Sequence, residues 1–139
     1  MAAAVAAHLA EVAALPLSGL EELYTVTFDL NPVVTLEIGW HLFGEQYERG
    51  VLLARLRGEL AAAGVDEEGE LPDHLTAVLR LLGRLDEAAR AELVAERVAP
   101  ALAKMRAALD PTPNPYRHLL AAAGTLLGVP GPAGGPAGS

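Results

Sequence analysis

Leucine and valine recur at intervals of three and four residues through most of this chain, and proline or glycine interrupts each run. This spacing places apolar side chains on one face of an α-helix. The clearest example contains Leu75, Val78, Leu79 and Leu82. The sequence has no alternating run rich in valine, isoleucine or threonine of the kind that predicts a β-strand. The pattern therefore predicts an all-α fold.

The breaks between the apolar runs predict a helical bundle of about six to seven helices with short connections. Proline is favoured at the first position of a helix and glycine just past its end, so both residue types mark boundaries. A long helix after residue 86 contains Pro100, which either kinks that helix or opens a new one. The predicted N-caps are Ser18, Asn31, Asp86 and Asn114. The predicted helices span approximately residues 2–15, 19–28, 32–41, 46–63, 72–82, 87–109 and 115–127.

The length and the end of the chain predict one domain followed by a tail. A chain of 139 residues has the usual size of a single domain and can bury a core without disulfides or metal. From Gly128 onward, glycine, proline and alanine dominate and offer almost nothing to bury. We therefore expect a helical domain over residues 1–127 and a disordered tail over residues 128–139.

Charge and cysteine content exclude several classes of function. The formal net charge is −8, whereas nucleic-acid-binding proteins usually carry a basic face. The sequence contains no cysteine, which excludes disulfides, zinc–thiolate sites and thiol nucleophiles. The apolar N-terminus lacks a basic region, and no apolar run reaches the roughly 18–20 residues that span a bilayer. We expect a cytoplasmic protein that neither binds nucleic acid nor inserts into a membrane.

One polar stretch, Glu70–Leu75, places several side chains capable of acid–base or metal-binding chemistry at a predicted helix start. Pro72 suits the first helical position, and Asp73 in the first turn would face the exposed amides. Glu70, Asp73 and His74 could instead ligate a metal, because their spacings of three and four residues share a helix face. Pro72 places Glu70 before the helix, which favours the capping interpretation over a metal site. Capping leaves His74 without an explanation.

No motif in the sequence indicates catalysis. The four histidines, His8, His41, His74 and His118, do not lie near a serine nucleophile in any short motif. There is no glycine-rich nucleotide-binding loop between a strand and a helix. We therefore predict no catalytic residues, no metal site and no resident cofactor. Aromatic side chains cluster in the first half and are expected to be mostly core: Tyr24, Phe28, Trp40, Phe43 and Tyr47.

The order of several short segments resembles a known family, the NarJ-type (nitrate reductase delta subunit) branch of the TorD/DmsD-like molybdoenzyme assembly chaperones. The most specific of these segments is Gly69–Leu75, which reads Gly-Glu-Leu-Pro-Asp-His-Leu. The resemblance extends from about Leu20 to Leu127. The other matching segments are Tyr24–Asp29, Phe43–Glu45, Glu48–Gly50, Val98–Leu102 and Pro115–Tyr116.

The resemblance implies an all-helical chaperone that is not an enzyme. Such proteins bind the apo catalytic subunit of a molybdenum oxidoreductase, such as respiratory nitrate reductase, largely through its N-terminal peptide. They keep that subunit competent to receive its molybdenum cofactor and are absent from the mature enzyme. At the positions that match the family's motifs, the resemblance implies that the partner-binding residues are Asp29, Arg49, Glu70, Pro72, Asp73 and His74.

Two expectations follow from departures from the family pattern. Only one alanine-rich helix precedes Tyr24, where family members often have a longer helical region. Apolar surface left uncovered tends to be filled by a partner, so we expect a homodimer or a permanently associated form. An alternative function is a structural or regulatory helical subunit that stays in a respiratory molybdoenzyme complex.

Overall fold

A computed structural model describes residues 2–29 and 34–129, and within these ranges it is all-α, which confirms the predicted fold class. The α-helices are α1 (Ala2–Val12), α2 (Leu17–Tyr24), α3 (Ile38–Phe43), α4 (Tyr47–Ala63), α5 (Leu75–Leu82), α6 (Glu87–Leu93), α7 (Ala99–Leu109) and α8 (Tyr116–Leu127). The π-helical segment Thr25–Asp29 continues α2, and a second one, Val94–Val98, joins α6 to α7. Because α6 and α7 are joined, the eight α-helices of the described residues form seven continuous segments, in agreement with the predicted six to seven.

Some predicted helix ends are confirmed. The Asp86 carboxylate accepts a hydrogen bond from the Ala89 amide at 2.8 Å and caps α6. The Asn114 side chain accepts one from the Tyr116 amide at 2.9 Å at the start of α8. Gly64 ends α4 in the left-handed region, with φ of 71°, a conformation that favours glycine.

Other predicted boundaries are wrong. The helix predicted from Pro72 begins at Leu75, and the one predicted over residues 32–41 is α3, which begins at Ile38. The reason is tertiary, because the two segments before these helices pair with each other in extended conformation. The helix α2 begins at Leu17, so Ser18 is not its N-cap. The predicted cap Asn31 with Pro32, and residues 130–139 of the predicted tail, lie outside the described residues.

The chain divides into two compact units, residues 1–35 with 102–139 (unit 1) and residues 36–101 (unit 2). In unit 1, α1 packs against α8. The buried His8 donates from Nδ1 to the Pro115 carbonyl at 2.9 Å, and its ring lies 5.0 Å from that of Tyr116. The Thr27 hydroxyl accepts from Nδ2 of the Asn114 side chain at 2.8 Å. Packing therefore holds a segment that has weak helix propensity, here as a π-helix with Thr27 and Phe28 buried.

A carboxylate at the end of α1 also connects it to α8. Glu11 accepts hydrogen bonds from the Arg117 guanidinium at 2.9 and 3.1 Å and contacts His118 Nε2. The hydrogen bonds from Arg117 and then from His118 lower the pKa of the Glu11 carboxyl. A lowered pKa means that the folded state favours the carboxylate. This contribution to stability is present above the unfolded-state pKa and is lost as the pH falls through the folded-state pKa.

We expect Glu11→Gln to loosen α1 at neutral pH, because the neutral amide loses its charge-assisted bonds. Hydrogen exchange of the α1 amides is expected to be faster in the variant at neutral pH. The difference is expected to shrink below the carboxyl pKa and at high salt, since the pair is solvent-accessible and screened. Glu22→Gln, an exposed change in α2, is the control. An unchanged difference at acid pH would contradict the proposed role of the charge.

In unit 2, the apolar stripes of α4 and α5 supply most of the buried side chains. The buried apolar residues of this unit are Ile38, Leu52, Leu56, Leu60, Leu75, Ala77, Val78, Leu81, Leu82, Val98 and Ala101. Burying a side chain of leucine size contributes about 1.5–3 kcal/mol. Pro100 lies in the second position of α7, directly after the π-helical segment, so the long helix continues through it. Proline cannot donate the regular helical bond, and a π-helical turn changes the local bonding pattern.

Within the described residues, no single helix has the length and apolar character needed to cross a bilayer. The pair formed by residues 2–12 and 17–29 meets both criteria together, with a bend of 119° between its parts.

Candidate functional site

The site predicted from sequence lies at the end of an acidic loop in unit 2, between α4 and α5. The Asp66 carboxylate accepts from the Glu68 amide at 3.2 Å, and both Glu68 and Gly69 have positive φ. Arg57 of α4 pairs with Glu67 at 3.0 Å, and Arg80 of α5 pairs with Glu68 at 2.5 Å. The loop is thus connected to the helices on both sides, which positions the residues that follow it.

The loop then pairs with the segment that precedes α3. The Ile38 amide donates to the Asp73 carbonyl at 2.9 Å, and the Leu75 amide donates to the Leu36 carbonyl at 2.8 Å. Glu37 and His74 form an isolated antiparallel bridge. The pairing satisfies backbone groups at two helix starts, which would otherwise lack partners. It also explains why neither α3 nor α5 begins where its proline predicts.

The carboxylate of Asp73 is fully buried and caps α3 rather than its own helix. Its Oδ2 accepts from the Gly39 amide at 3.0 Å and from Arg49 Nε at 3.2 Å. Its Oδ1 lies 3.5 Å from Arg49 Nη2. Glu37, the N-cap residue of α3, makes no capping bond with its side chain. A carboxylate at a helix N-terminus satisfies a free amide and interacts favourably with the helix dipole, so Asp73 connects the starts of α3 and α4.

Gly39 provides the space that this arrangement needs. A β-carbon at position 39 would lie 2.5 Å from Asp73 Oδ2 and 3.2 Å from both Arg49 Cγ and Leu52 Cδ2. The group that approaches position 39 most closely is therefore the carboxylate of Asp73.

The structure explains His74 as the N-cap of α5. Its Nδ1 accepts a hydrogen bond from the Thr76 amide at 3.1 Å. Because Nδ1 accepts, it carries no proton in this arrangement. The side chain is buried, with an exposed fraction of 7%. Loss of an N-cap side chain usually costs about 0.5–2 kcal/mol, so His74 has a structural role that the sequence left unexplained.

The six residues predicted to bind a partner differ in accessibility. Pro72, Asp73 and His74 are buried, Arg49 is partly exposed, and Glu70 and Asp29 are exposed. The structure brings Arg49 and Asp73 together, while Asp29 ends the π-helical segment of unit 1.

The alternative metal set of Glu70, Asp73 and His74 is not assembled. Asp73 faces Gly39 and Arg49, and His74 Nδ1 faces the Thr76 amide. Among the residues that the structure describes, no group of three or more histidine or acidic side chains is placed to hold a metal ion.

The aromatic residues predicted to be mostly core are buried to very different degrees. Phe28 is buried, while Tyr24, Trp40 and Phe43 are partly exposed. Tyr47 exposes 83% of its surface at the start of α4.

Unit 2 also has a surface depression of about 160 Å³ that the sequence did not predict. Its floor is apolar, and arginine and glutamate side chains surround it. The apolar residues are Leu52 and Leu56 of α4, Leu85, and Ala89 and Leu93 of α6. The available sequence signal was the apolar spacing of four residues from Leu85 to Leu93, beside Glu92 and Glu96.

The fold and the site define a small all-α protein in which a polar motif connects the starts of three helices. Residues 1–122 match the family model described as nitrate reductase delta subunit, and the chain belongs to that family. Members of this family are assembly chaperones for molybdoenzymes and are not catalytic subunits. Membership of the family implies association with a molybdoenzyme catalytic subunit. No curated protein and no solved structure gives a significant match.

Proposed function

We propose that this protein is a dedicated cytoplasmic chaperone for the apo catalytic subunit of a molybdenum oxidoreductase, such as respiratory nitrate reductase. It binds the N-terminal peptide of that subunit, assists insertion of the molybdenum cofactor and then leaves. The observation that carries the proposal is the family match over residues 1–122, which includes seven of the eight α-helices in full. In this proposal the chain has no catalytic residue and no cofactor of its own.

We assign two roles to the six residues carried over from the family. Arg49, Glu70 and Asp29 have accessible surface and can contact the client directly. Pro72, Asp73 and His74 are buried and act by positioning the loop and the starts of α3 and α5. The acidic surface that results from a net charge of −8 suits a client peptide that carries lysine or arginine.

The proposal is tested with the purified chain and the N-terminal peptide of the catalytic subunit encoded beside it. We expect calorimetry to give micromolar or tighter binding, and the full-length apo subunit to co-purify with the chain. No heat of binding together with no co-purification would contradict the proposal. Stoichiometric retention of the chain in the mature enzyme would favour the alternative of a structural or regulatory subunit.

We also propose that the free protein associates with itself. Leu9 of α1 and Leu126 of α8 expose 59% and 64% of their surface, so unit 1 presents uncovered apolar side chains. Light scattering at tens of micromolar is expected to give a dimer mass. A clean monomer would contradict this part of the proposal.

A further inference from the structure

Polar contacts and one buried side chain hold α1 on α8. Of the described residues Ala2–Val12, only His8 is buried. Its ring contacts Tyr116, while the solvent-accessible Glu11 pairs with Arg117 and His118. Regions with few buried apolar contacts open at a lower free energy than the core of a protein. We therefore expect α1 to leave α8 before the rest of unit 1 unfolds.

The connector between α1 and α2 can act as a hinge. Residues 13–16 are all exposed, and the two helical segments meet at a bend of 119°. The Leu15 amide donates to the Val12 carbonyl at 3.0 Å, which closes a local turn. Pro16 is extended, with φ of −69° and ψ of 167°, directly before α2. Opening this turn would straighten the connector and carry α1 away from its own α8.

Apolar side chains beside the hinge are uncovered in the single chain. Leu15 and Leu17 expose 39% and 71% of their surface on either side of Pro16. Neighbouring exposed apolar side chains mark an interaction surface, whereas isolated ones need no explanation. When two copies exchange an element symmetrically, their hinges come close to each other. The leucines of the two hinges would then cover one another, which a closed monomer cannot achieve.

We propose that two copies of this chain exchange α1, so that α1 of each copy packs on α8 of the other. This inference rests on the proposed self-association and deepens it, because it names the exchanged element and the surface that the dimer covers. The contacts between α1 and α8 are the same in the closed monomer and in the exchanged dimer, so they favour neither state. Burial of the hinge leucines therefore supplies the preference for the dimer.

Complementary charge variants test the exchange. Glu11→Lys places like charges against Arg117, and Arg117→Glu places like charges against Glu11, both in the monomer and in any dimer of one variant. An exchanged dimer with one copy of each variant relieves both repulsions. The new lysine of one copy meets the new glutamate of the other, and the native Glu11 meets the native Arg117. Mixing the variants is expected to give about three- to tenfold more dimer than either gives alone.

Native mass spectrometry measures the dimer fraction, and an affinity tag on one variant separates the mixed dimer by its mass. The mixture is kept at tens of micromolar until the dimer fraction is constant, because exchange requires α1 to open. Glu22→Lys mixed with Lys104→Glu is the control, since both residues are exposed in unit 1 and the charges change by the same amounts. The control mixture is expected to give no more dimer than its two components.

The hinge leucines are tested with Leu17→Ser, using analytical ultracentrifugation. This exposed change is expected to raise the dissociation constant of the dimer about tenfold or more, because a leucine of each copy loses its cover. Val26→Ser is the matched control, since Val26 exposes 49% of its surface in the same unit but lies outside the connector. Equal dissociation constants for the two variants would contradict the role of the hinge.

The outcomes separate the exchange from the other proposals. If the wild type is a dimer but the mixed charge variants give no additional dimer, the exchange is overturned, while self-association stands. If the wild type is a monomer, both fail, and binding of the client subunit still tests the chaperone function separately.

If the charge variants do not fold, the rate of dimer dissociation decides the question. An exchanged dimer dissociates only when α1 leaves α8, so Glu11→Gln is expected to speed dissociation. Glu22→Gln, the exposed control in α2, is expected to leave the rate unchanged. Equal rates for these two variants would overturn the proposal.

Discussion

Asp73→Ala is expected to lower the free energy of unfolding by about 2–4 kcal/mol. The variant leaves the Gly39 amide without its acceptor, which costs about 1–3 kcal/mol when the amide is buried. That bond is the cap that Asp73 provides to α3, and the Arg49 guanidinium loses its carboxylate partner as well. The Arg49 side chain retains 19% exposure and can turn to water, so the total stays below that of a fully buried ion pair.

Urea denaturation of the wild type and the variant measures this difference. Asp73→Asn is expected to fall between them, because its amide oxygen can still accept from Gly39 while its NH₂ group cannot pair with Arg49. Glu70→Gln, an exposed change in the same motif, is the control and is expected to stay within about 0.5 kcal/mol of the wild type. Wild-type stability in Asp73→Ala would show that the carboxylate does not hold α3.

Gly39→Ala is expected to destabilise the protein by about 1–3 kcal/mol, although alanine is the better helix former. The new methyl group would lie 2.5 Å from Asp73 Oδ2 and would displace the carboxylate. Gly58→Ala in α4 is the matched control, because no atom lies within 4 Å of a β-carbon there. That exposed change is expected to stabilise the protein by up to about 1 kcal/mol. Circular dichroism during urea denaturation measures both.

Combining Gly39→Ala with Asp73→Ala tests whether the two positions act through one contact. Once the carboxylate is absent, the methyl group at position 39 no longer meets it. The loss in the double variant is therefore expected to be smaller than the sum of the two single losses. Strict additivity would show that the two substitutions act independently and that the close approach has no energetic consequence.

These variants also clarify what the Glu-Leu-Pro-Asp-His-Leu string does. Its Asp73 and His74 side chains, the two best suited to acid–base chemistry, accept hydrogen bonds from backbone amides inside unit 2. A loss of partner maturation in Asp73→Ala would therefore report a misplaced loop as readily as a lost contact. Substitution of Glu70, whose side chain is exposed, is the better test of direct contact with a client, because Arg49 is itself paired with Asp73.

The sequence was sufficient to predict the features that depend on residues close to one another in the chain. Apolar spacing predicted the all-α fold, and the caps at Asp86 and Asn114 were correct because each binds an amide two or three residues away. Gly64 was identifiable because a left-handed helix end favours glycine wherever it occurs. The family resemblance was also readable, since it depends on the order of short segments.

Tertiary structure alone decided which partners the polar motif has. Asp73 reads as a first-turn residue of its own helix, yet its carboxylate caps α3, 34 residues earlier in the chain. Because Glu37 and His74 form a bridge, α3 and α5 begin later than predicted, and the surface depression beside Glu92 and Glu96 depends on how α4 lies beside α6. Because such contacts join residues far apart in the sequence, local helix propensity and apolar spacing do not predict them. The sequence by itself determined where helices form, and packing determined which of their ends and faces meet.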